Sequence, residues 1–252
     1  MLSLWQDLSI LVATLIAALL FMALLNRLWP QEKRSVNNDL IGWQLTIVGT
    51  TYAVILGFML YTVWTSFGQA QVNVDAEANA LRDLYRTAGA LPDPQRSQLK
   101  QQARAYAQSV LDSDWPQMGR GEVPQASHSI DEAMWKIAMT IKVDSPTNAL
   151  FADHVLYELT DLTAHRRTRM LETVYKLPAI FWVVLIAGDF LTIVSAATFG
   201  ARNTLLHAFQ VTTLTLLLTL VLLAIGDVNL PFQGWVHVDN YAFVRAQTYM
   251  TD

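Results

Sequence analysis

Residues 40–74, LIGWQLTIVGTTYAVILGFMLYTVWTSFGQAQVNV, form the longest uncharged stretch of the chain, with 35 residues between Asp39 and Asp75. As one α-helix they would extend about 52 Å at about 1.5 Å per residue, whereas the hydrocarbon core of a bilayer is about 30 Å thick. The first part, about 42–66, is apolar enough to span, and the remainder is rich in amide side chains. The stretch therefore predicts a spanning helix that leaves the bilayer and continues beyond it.

Three other segments have the length and composition of membrane spans. Span one, about 8–28, begins with 19 uncharged residues after Asp7. The two others lie between Lys176 and Asp227, and Asp189 is the one acidic residue inside them. Cleavage of span one as a signal peptide is the alternative, but the segment lacks a basic start and a small-residue cleavage site. With 15% charged residues, against about 25% in a soluble domain, the chain is predicted to be a four-span membrane protein.

The charged residues concentrate between the second and third spans, where residues 68–177 hold 26 of the 38 charges. Apolar residues recur there at three and four positions, which is the spacing of helices. We expect one helix to end before Trp115-Pro116 and another to begin at the capping-box pair Ser129 and Glu132. A long helix should run from Ser145-Pro146 to Leu177, with a kink at Pro178 before the third span. The predicted fold class is an all-α membrane protein with four transmembrane helices and a helical extramembrane domain between the second and third.

The same pattern divides the chain into four consecutive parts. They are an N-terminal transmembrane hairpin at 1–67, a helical polar domain at 68–177, a C-terminal transmembrane hairpin at 178–226 and a tail at 227–252. Each hairpin joins two spans by a loop that is short compared with the polar domain.

Lysine and arginine residues near the span ends set the orientation of a membrane protein. The short-loop side carries Arg27, Lys33, Arg34 and Arg202, and the domain side carries Arg166, Arg167, Arg169 and Lys176. The two sides are nearly balanced, and we expect a cytoplasmic polar domain with both termini inside. Arg166, Arg167 and Arg169 would then anchor the domain at the membrane surface or attract anions.

Composition also excludes several classes of function. The absence of cysteine excludes a disulfide scaffold and a Cys-ligated metal site. A net charge of -4 offers no basic field for nucleic acid. We find no phosphate-binding glycine loop, no nucleophile elbow and no zinc-binding His-Glu-x-x-His helix, so we expect neither an enzyme nor a cofactor or metal site.

Asp189 lies about midway along span three, where a carboxylate costs a few kcal/mol unless it faces protein or water. An ion or proton role is one interpretation. The alternative is a structural residue that is protonated or bonded to Thr, Ser or Tyr of a neighbouring helix, with Thr192 and Thr215 among the possible partners.

Four ionisable residues of the polar domain, His154, Glu158, Asp161 and His165, have the spacing of one helical face. Their side chains can bind metals, but the adjacent apolar stripe is typical of an ordinary amphipathic helix whose polar half is solvated. A water-filled vestibule lined by these residues is the third interpretation.

Two motifs resemble those of bestrophins: Val54-Ile55-Leu56-Gly57-Phe58 in span two and Asn229-Leu230-Pro231-Phe232-Gln233-Gly234 after span four. The polar domain resembles more closely a bacterial bestrophin-like family of undetermined function. The residues that carry this resemblance are Glu77-Ala78-Asn79-Ala80-Leu81, Leu91-Pro92, Tyr106, Asp114-Trp115-Pro116 and Asp227 through Gly234. It implies a multi-pass protein of the bacterial inner membrane.

Bestrophins are four-span channels that assemble as pentamers, with Leu-Gly-Phe in a second helix that lines the pore. The resemblance therefore assigns Phe58, Val54 and Thr50 to a hydrophobic neck that opens by wetting, although Thr50 departs from the bulky apolar pattern. The alternative is that Phe58 packs against other spans. It also makes Glu77 a candidate for lining the vestibule. The acidic run that binds calcium in some bestrophins is missing after Gly234, so we expect no calcium gating through that segment.

We therefore predict a self-associating ion channel whose partners are the lipid bilayer and small inorganic ions, and the resemblance to bestrophins implies that it is a pentamer. The ion class is open at this point, because the arginines before span three favour anions and Asp189 favours cations. The alternatives are a non-conducting membrane scaffold or sensor that binds a partner through the polar domain, and a proton-coupled transporter that uses Asp189.

Overall fold

A computed structural model describes residues 4–251 of the chain, and within that range it is helical with no strand. This confirms the predicted fold class. Ten α-helices follow one another in the order α1 Leu4–Leu28, α2 Gln31–Ser35, α3 Asn38–Ala88, α4 Gln95–Ser109, α5 Trp115–Gly119, α6 Ala126–Ala138, α7 Pro146–Val174, α8 Ala179–Ala197, α9 Thr204–Val228 and α10 Tyr241–Thr251. A π-helical turn, Val110–Asp114, joins α4 to α5.

Four of these helices are long and apolar enough to cross a membrane: α1, α3, α8 and α9. Between 11% and 28% of the most apolar window of each is buried within the protein. The remaining apolar surface requires lipid or another protein surface, because water would penalise its exposure. The four predicted spans are therefore confirmed.

Helix α3 runs without a break through 51 residues, so span two continues beyond its apolar part as predicted and ends only at Ala88, in the charged segment after Asp75. One seam of the helix recurs every seven residues and is buried throughout, at Leu56, Val63, Ala70, Glu77 and Leu84. A seven-residue repeat keeps these positions on one side of the helix over many turns. Glu77 is the only charged residue of this seam.

The chain divides into two compact units. The first comprises residues 1–65 and 176–229, in which α1, α8 and α9 pack against one another. Its core includes Met22 of α1 and Val211 of α9. A hydrogen bond of 3.2 Å between the hydroxyl groups of Thr14 and Thr219 adds a polar link between the same two helices.

Side chains at the end of the first unit join its two inter-span loops. The amide group of Asn38 makes two hydrogen bonds of 2.9 Å with the backbone N–H and C=O of Gly200. The buried guanidinium of Arg34 donates to Asn26 and, at 3.1 Å, to the carbonyl oxygen of Ala197. Arg34 therefore satisfies a carbonyl group at the C-terminus of α8, where intrahelical partners are lacking.

The second unit comprises residues 66–175 and 230–252. Its core is formed by the inward side chains of the helices, including Leu81, Leu99, Met134 and Leu159, all fully buried. Ser145 caps α7, where its hydroxyl accepts the backbone N–H of Asn148 at 3.1 Å, and this confirms the predicted start of that helix. The C-terminal residues fold with this unit, although the sequence did not indicate where they pack.

Helix α4 ends at Ser109, before Trp115-Pro116 as predicted, and the π-helical turn then leads into α5. Pro116 occupies the first turn of α5, where its missing N–H costs no intrahelical bond. Two local predictions were wrong. Ser129 does not cap α6, which begins three residues earlier, and its hydroxyl donates to the carbonyl of Ala126. Helix α7 ends at Val174 rather than at the predicted Leu177, and α8 begins at Ala179, directly after Pro178.

Candidate functional site

The predicted neck residues lie on the exposed side of α3 in the first unit. Phe58 is 65% exposed and Val54 is 53% exposed, and Thr50 is exposed as well. An added Cβ at Gly57 would meet no atom within 4 Å, so that part of the helix surface is also uncovered. All of these residues are available to a surface outside the chain.

Contacts on the opposite side of α3, between Tyr52 and α8, determine which residues of α3 face outward. The Tyr52 hydroxyl donates to the carbonyl oxygen of Leu185 at 2.8 Å, and its ring lies against Gly188. A Cβ at Gly188 would approach the Tyr52 ring to 2.3 Å, so only glycine permits this contact. Because Tyr52 faces inward, Val54 and Phe58 are rotated away from α8.

The exposed side of α3 continues beyond the predicted neck. Its members recur every seven residues, as the buried ones do, at Phe58, Thr65, Val72, Asn79 and Arg86, and all are exposed. We call this series the outer seam of α3. It is apolar or hydroxylated as far as Val72 and polar afterwards.

Asp189 is half-buried, and its Oδ1 atom is buried without a hydrogen-bond partner in the described part of the chain. The predicted hydroxyl partners are engaged elsewhere or unpaired. Thr192 donates to the carbonyl of Gly188 at 2.7 Å, and the Thr215 hydroxyl is itself buried without a partner. The structure therefore does not support the interpretation that these threonines satisfy Asp189.

The second unit contains a buried charge network centred on Arg169 of α7. Its guanidinium donates to the two carboxylate oxygens of Glu77 at 2.7 and 2.9 Å, and to Asp114 at 3.3 Å. The Tyr106 hydroxyl donates to Glu77 at 2.6 Å. All four residues are fully buried, and the network joins α3, α4, the π-helical turn and α7.

Burial and the network determine the ionisation of its members. Desolvation raises the pKa of Tyr106, and the neighbouring Glu77 raises it further. The pKa of Arg169 is also raised, because Glu77, Tyr106 and Asp114 together outweigh its desolvation. The arginine therefore stays charged and the tyrosine stays neutral at any physiological pH.

Two predictions change as a result. Glu77 does not line a vestibule within this unit, because its side chain is fully buried and paired with Arg169. The proposed surface role for the arginines is wrong for two of the three. Arg169 belongs to the buried network, and Arg166 is 9% exposed and donates to the hydroxyl of Ser127 at 2.9 Å, while Arg167 is exposed.

The ionisable face predicted for α7 lies at the surface of the second unit. His154 is exposed, and Glu158, Asp161 and His165 are partly buried. Desolvation raises the pKa of Glu158, and the carboxylates of Asp83 and Asp161 raise it further. Among the residues that the structure describes, no group of three or more His, Asp or Glu side chains is arranged to hold a metal ion.

A polar cluster that the sequence did not indicate lies at the contact between α3 and α7. The buried Asn73 side chain donates to the carbonyl oxygen of His165 at 3.0 Å and to the Glu172 carboxylate at 3.3 Å, and it accepts from the His165 ring at 2.7 Å. Desolvation raises the pKa of Glu172 to about 7. Glu172 is seven residues after His165, a spacing that could have indicated a shared helix face.

Comparison with known proteins identifies the family. Residues 12–243 match the family described as a bestrophin-like domain, which is most of the chain. The chain belongs to the bestrophin-like family. No curated protein matches it.

Solved structures share this bestrophin-like fold. Two crystal structures of a bacterial bestrophin homologue from Klebsiella pneumoniae, each with a single substitution, superpose on 96% and 98% of this chain with TM-scores of 0.72 and 0.73. They are covered over 98% and 100% of their own lengths. A crystal structure described as a membrane protein has a TM-score of 0.67 over 97% of this chain and 98% of its own. At 12% identity in each case, the similarity extends to the fold alone.

Motifs that carried the bestrophin-like resemblance in sequence meet in the second unit. The Trp115 ring makes an edge contact with the Phe232 ring at 5.7 Å between centroids. Phe243 of α10 lies beside both Trp115 and the Arg169 guanidinium, at 6.1 and 5.7 Å. The segment after α9 therefore covers the residues around the buried network.

Proposed function

We propose that this chain is the subunit of a homo-oligomeric, pentameric ion channel in the bacterial inner membrane. In this channel α3 lines the pore, and the second unit, which we call the polar unit, lies in the cytoplasm. The proposal assigns no catalytic reaction to the chain. The observation that carries it is the outer seam of α3. Family membership supports it, because the resemblance to bestrophins implies a pore formed by the second spans.

The position of the predicted neck residues supports this assignment. Phe58 and Val54 are exposed in the span. Placed around a common axis, copies of these side chains would form an apolar constriction, and such constrictions gate conduction by losing their water.

The test is ion flux through purified protein in liposomes. We expect Phe58→Ala to raise the leak of ions severalfold, because a methyl group cannot close the constriction that a phenyl ring closes. The matched control is Phe209→Ala on α9, since Phe209 is 67% exposed and lies in another span. Equal flux from the two variants would mean that Phe58 does not form the neck.

A proton-coupled transporter is the second candidate, and the unpartnered Oδ1 of Asp189 is the observation that favours it. The same liposomes distinguish the two functions. Flux that is driven by a proton gradient and is lost in Asp189→Asn would favour the transporter, whereas gradient-independent flux that responds to Phe58→Ala favours the channel.

A further inference from the structure

We propose that Asn73, His165 and Glu172 form a pH-sensitive latch between α3 and α7, closed when Glu172 is protonated and weakened when it is ionised. The latch concerns the packing of the second unit. Its effect on conduction rests on the proposed function, in which α3 lines the pore.

The geometry gives Asn73 the central position. Its carboxamide donates two hydrogen bonds to α7 and accepts one from it. This one side chain of α3 therefore binds three atoms of α7: the His165 carbonyl oxygen, a Glu172 carboxylate oxygen and the His165 Nδ1 atom. The amide oxygen can only accept, which means that the His165 Nδ1 atom carries the hydrogen. The His165 Nε2 atom then faces the Asp161 carboxylate at 3.5 Å on the same helix.

Glu172 is the member of the latch whose charged form is disfavoured by its partly buried position. Burial raises its pKa to about 7, and the Glu77 carboxylate of α3 adds to this rise. The hydrogen bond from Asn73 and the positive charge of Arg169 on α7 lower it, but not enough to offset burial. Near neutral pH the group therefore exchanges its proton, whereas Arg169 and Tyr106 of the adjacent network do not.

The sign of the effect follows from proton linkage. The pKa of Glu172 in the closed latch is higher than the value of about 4.3 for an exposed glutamate, so the closed form binds the proton more tightly. The stabilisation is complete below about pH 4.3 and is lost as the pH rises through about 7. Between about pH 6 and about pH 8 the opening equilibrium should increase about tenfold.

Two measurements on the full chain test the latch without requiring conduction. Infrared difference spectroscopy should show a protonated carboxyl band that titrates near pH 7 and is absent from Glu172→Gln. Hydrogen exchange of the 165–174 backbone, corrected for the intrinsic effect of pH, should accelerate about tenfold between about pH 6 and about pH 8 and lose this acceleration in Glu172→Gln. Asp153→Asn, an exposed carboxylate on α7, is the matched control and should retain both signals.

Three outcomes would overturn the latch. One is a Glu172 carboxyl band that has already disappeared by about pH 6. Another is acceleration that persists in Glu172→Gln and disappears in His165→Gln, which would assign the titration to the histidine. The third is exchange at 165–174 that does not change with pH.

Liposome flux then tests the consequence for conduction separately. If flux depends on pH in the natural protein and not in Glu172→Gln, latch and pore are coupled. If the infrared and exchange signals follow the expectation but no variant conducts, the latch stands and the proposed function fails. If flux has the same pH dependence in both proteins, the coupling to conduction is wrong.

Discussion

Arg169 lies where several elements of the second unit meet. Besides Glu77 and Asp114 it contacts the Met118 sulfur at 3.3 Å and the Phe243 ring, so five helical segments and the π-helical turn surround one network. Burying three charges is costly, and the cost is offset only when the hydrogen bonds are complete. The structure meets this condition, because each carboxylate receives a donor from Arg169 and Glu77 receives another from Tyr106.

Removing the guanidinium should destabilise the protein strongly. We expect Arg169→Met to lower the free energy of unfolding by about 3–5 kcal/mol, because it leaves the Glu77 and Asp114 carboxylates buried without their counter-charge. The measurement is denaturant unfolding of the detergent-purified protein, followed by circular dichroism.

Arg167→Met is the matched control, since Arg167 is exposed and only two residues away. It should change stability by less than about 0.5 kcal/mol. Equal losses in the two variants would mean that the buried network contributes little beyond the loss of an arginine.

At the scale of elements, the two inter-span loops of the first unit are held together by close backbone contact. Gly200 lies against the backbone of the α2 segment, where an added Cβ would be 2.4 Å from the amide nitrogen of Ser35 and 2.9 Å from the carbonyl carbon of Arg34. Backbone atoms cannot rotate away from such a clash as a flexible side chain can. Glycine is therefore required at this position for lack of space.

Gly200→Ala should lower stability by about 1–3 kcal/mol and weaken the pairing of Gly200 with Asn38. The control is Gly49→Ala in α3, where no atom lies within 4 Å of the added Cβ. Alanine there should be neutral or stabilising by up to about 1 kcal/mol, because glycine is a poor residue for a helix interior. Thermal unfolding of both variants in one detergent makes the comparison. A Gly200→Ala protein as stable as Gly49→Ala would show that the loops can separate without loss.

At the scale of the whole molecule, the exposed apolar surface of the spans can contact either lipid or other subunits. The way in which the subunits assemble decides which parts of it contact each. One chain of 28.3 kDa with four spans offers too few helices to enclose a pore by itself. The outer seam of α3 provides the surface that a ring of copies would turn toward its axis.

We expect native mass spectrometry of the detergent-purified protein to give a single closed oligomer of about five subunits, as the bestrophin resemblance implies. Particle images should show a symmetric ring. A stable monomer or dimer would contradict the channel and favour the scaffold or sensor, whose polar unit would then have to bind another protein.

The physical basis of the sequence predictions explains which of them were confirmed. The four spans and the unbroken α3 were predictable because a bilayer requires runs of about 20 apolar residues, and such runs are visible along the chain. The start of α7 was predictable because Ser145 and Pro146 act on neighbouring backbone atoms. Such signals are local, so they need no knowledge of the rest of the fold.

The sequence by itself thus determined the helical class, the four spans and the bestrophin-like resemblance. Only the tertiary structure decided what the charged residues of the polar unit do. Glu77 and Arg169 are 92 positions apart, and nothing in either segment indicates that burial will pair them. The same holds for Asn73 and Glu172. Long-range packing brings such residues together, and it decides whether a charge meets water, an opposite charge or a hydrogen-bond partner.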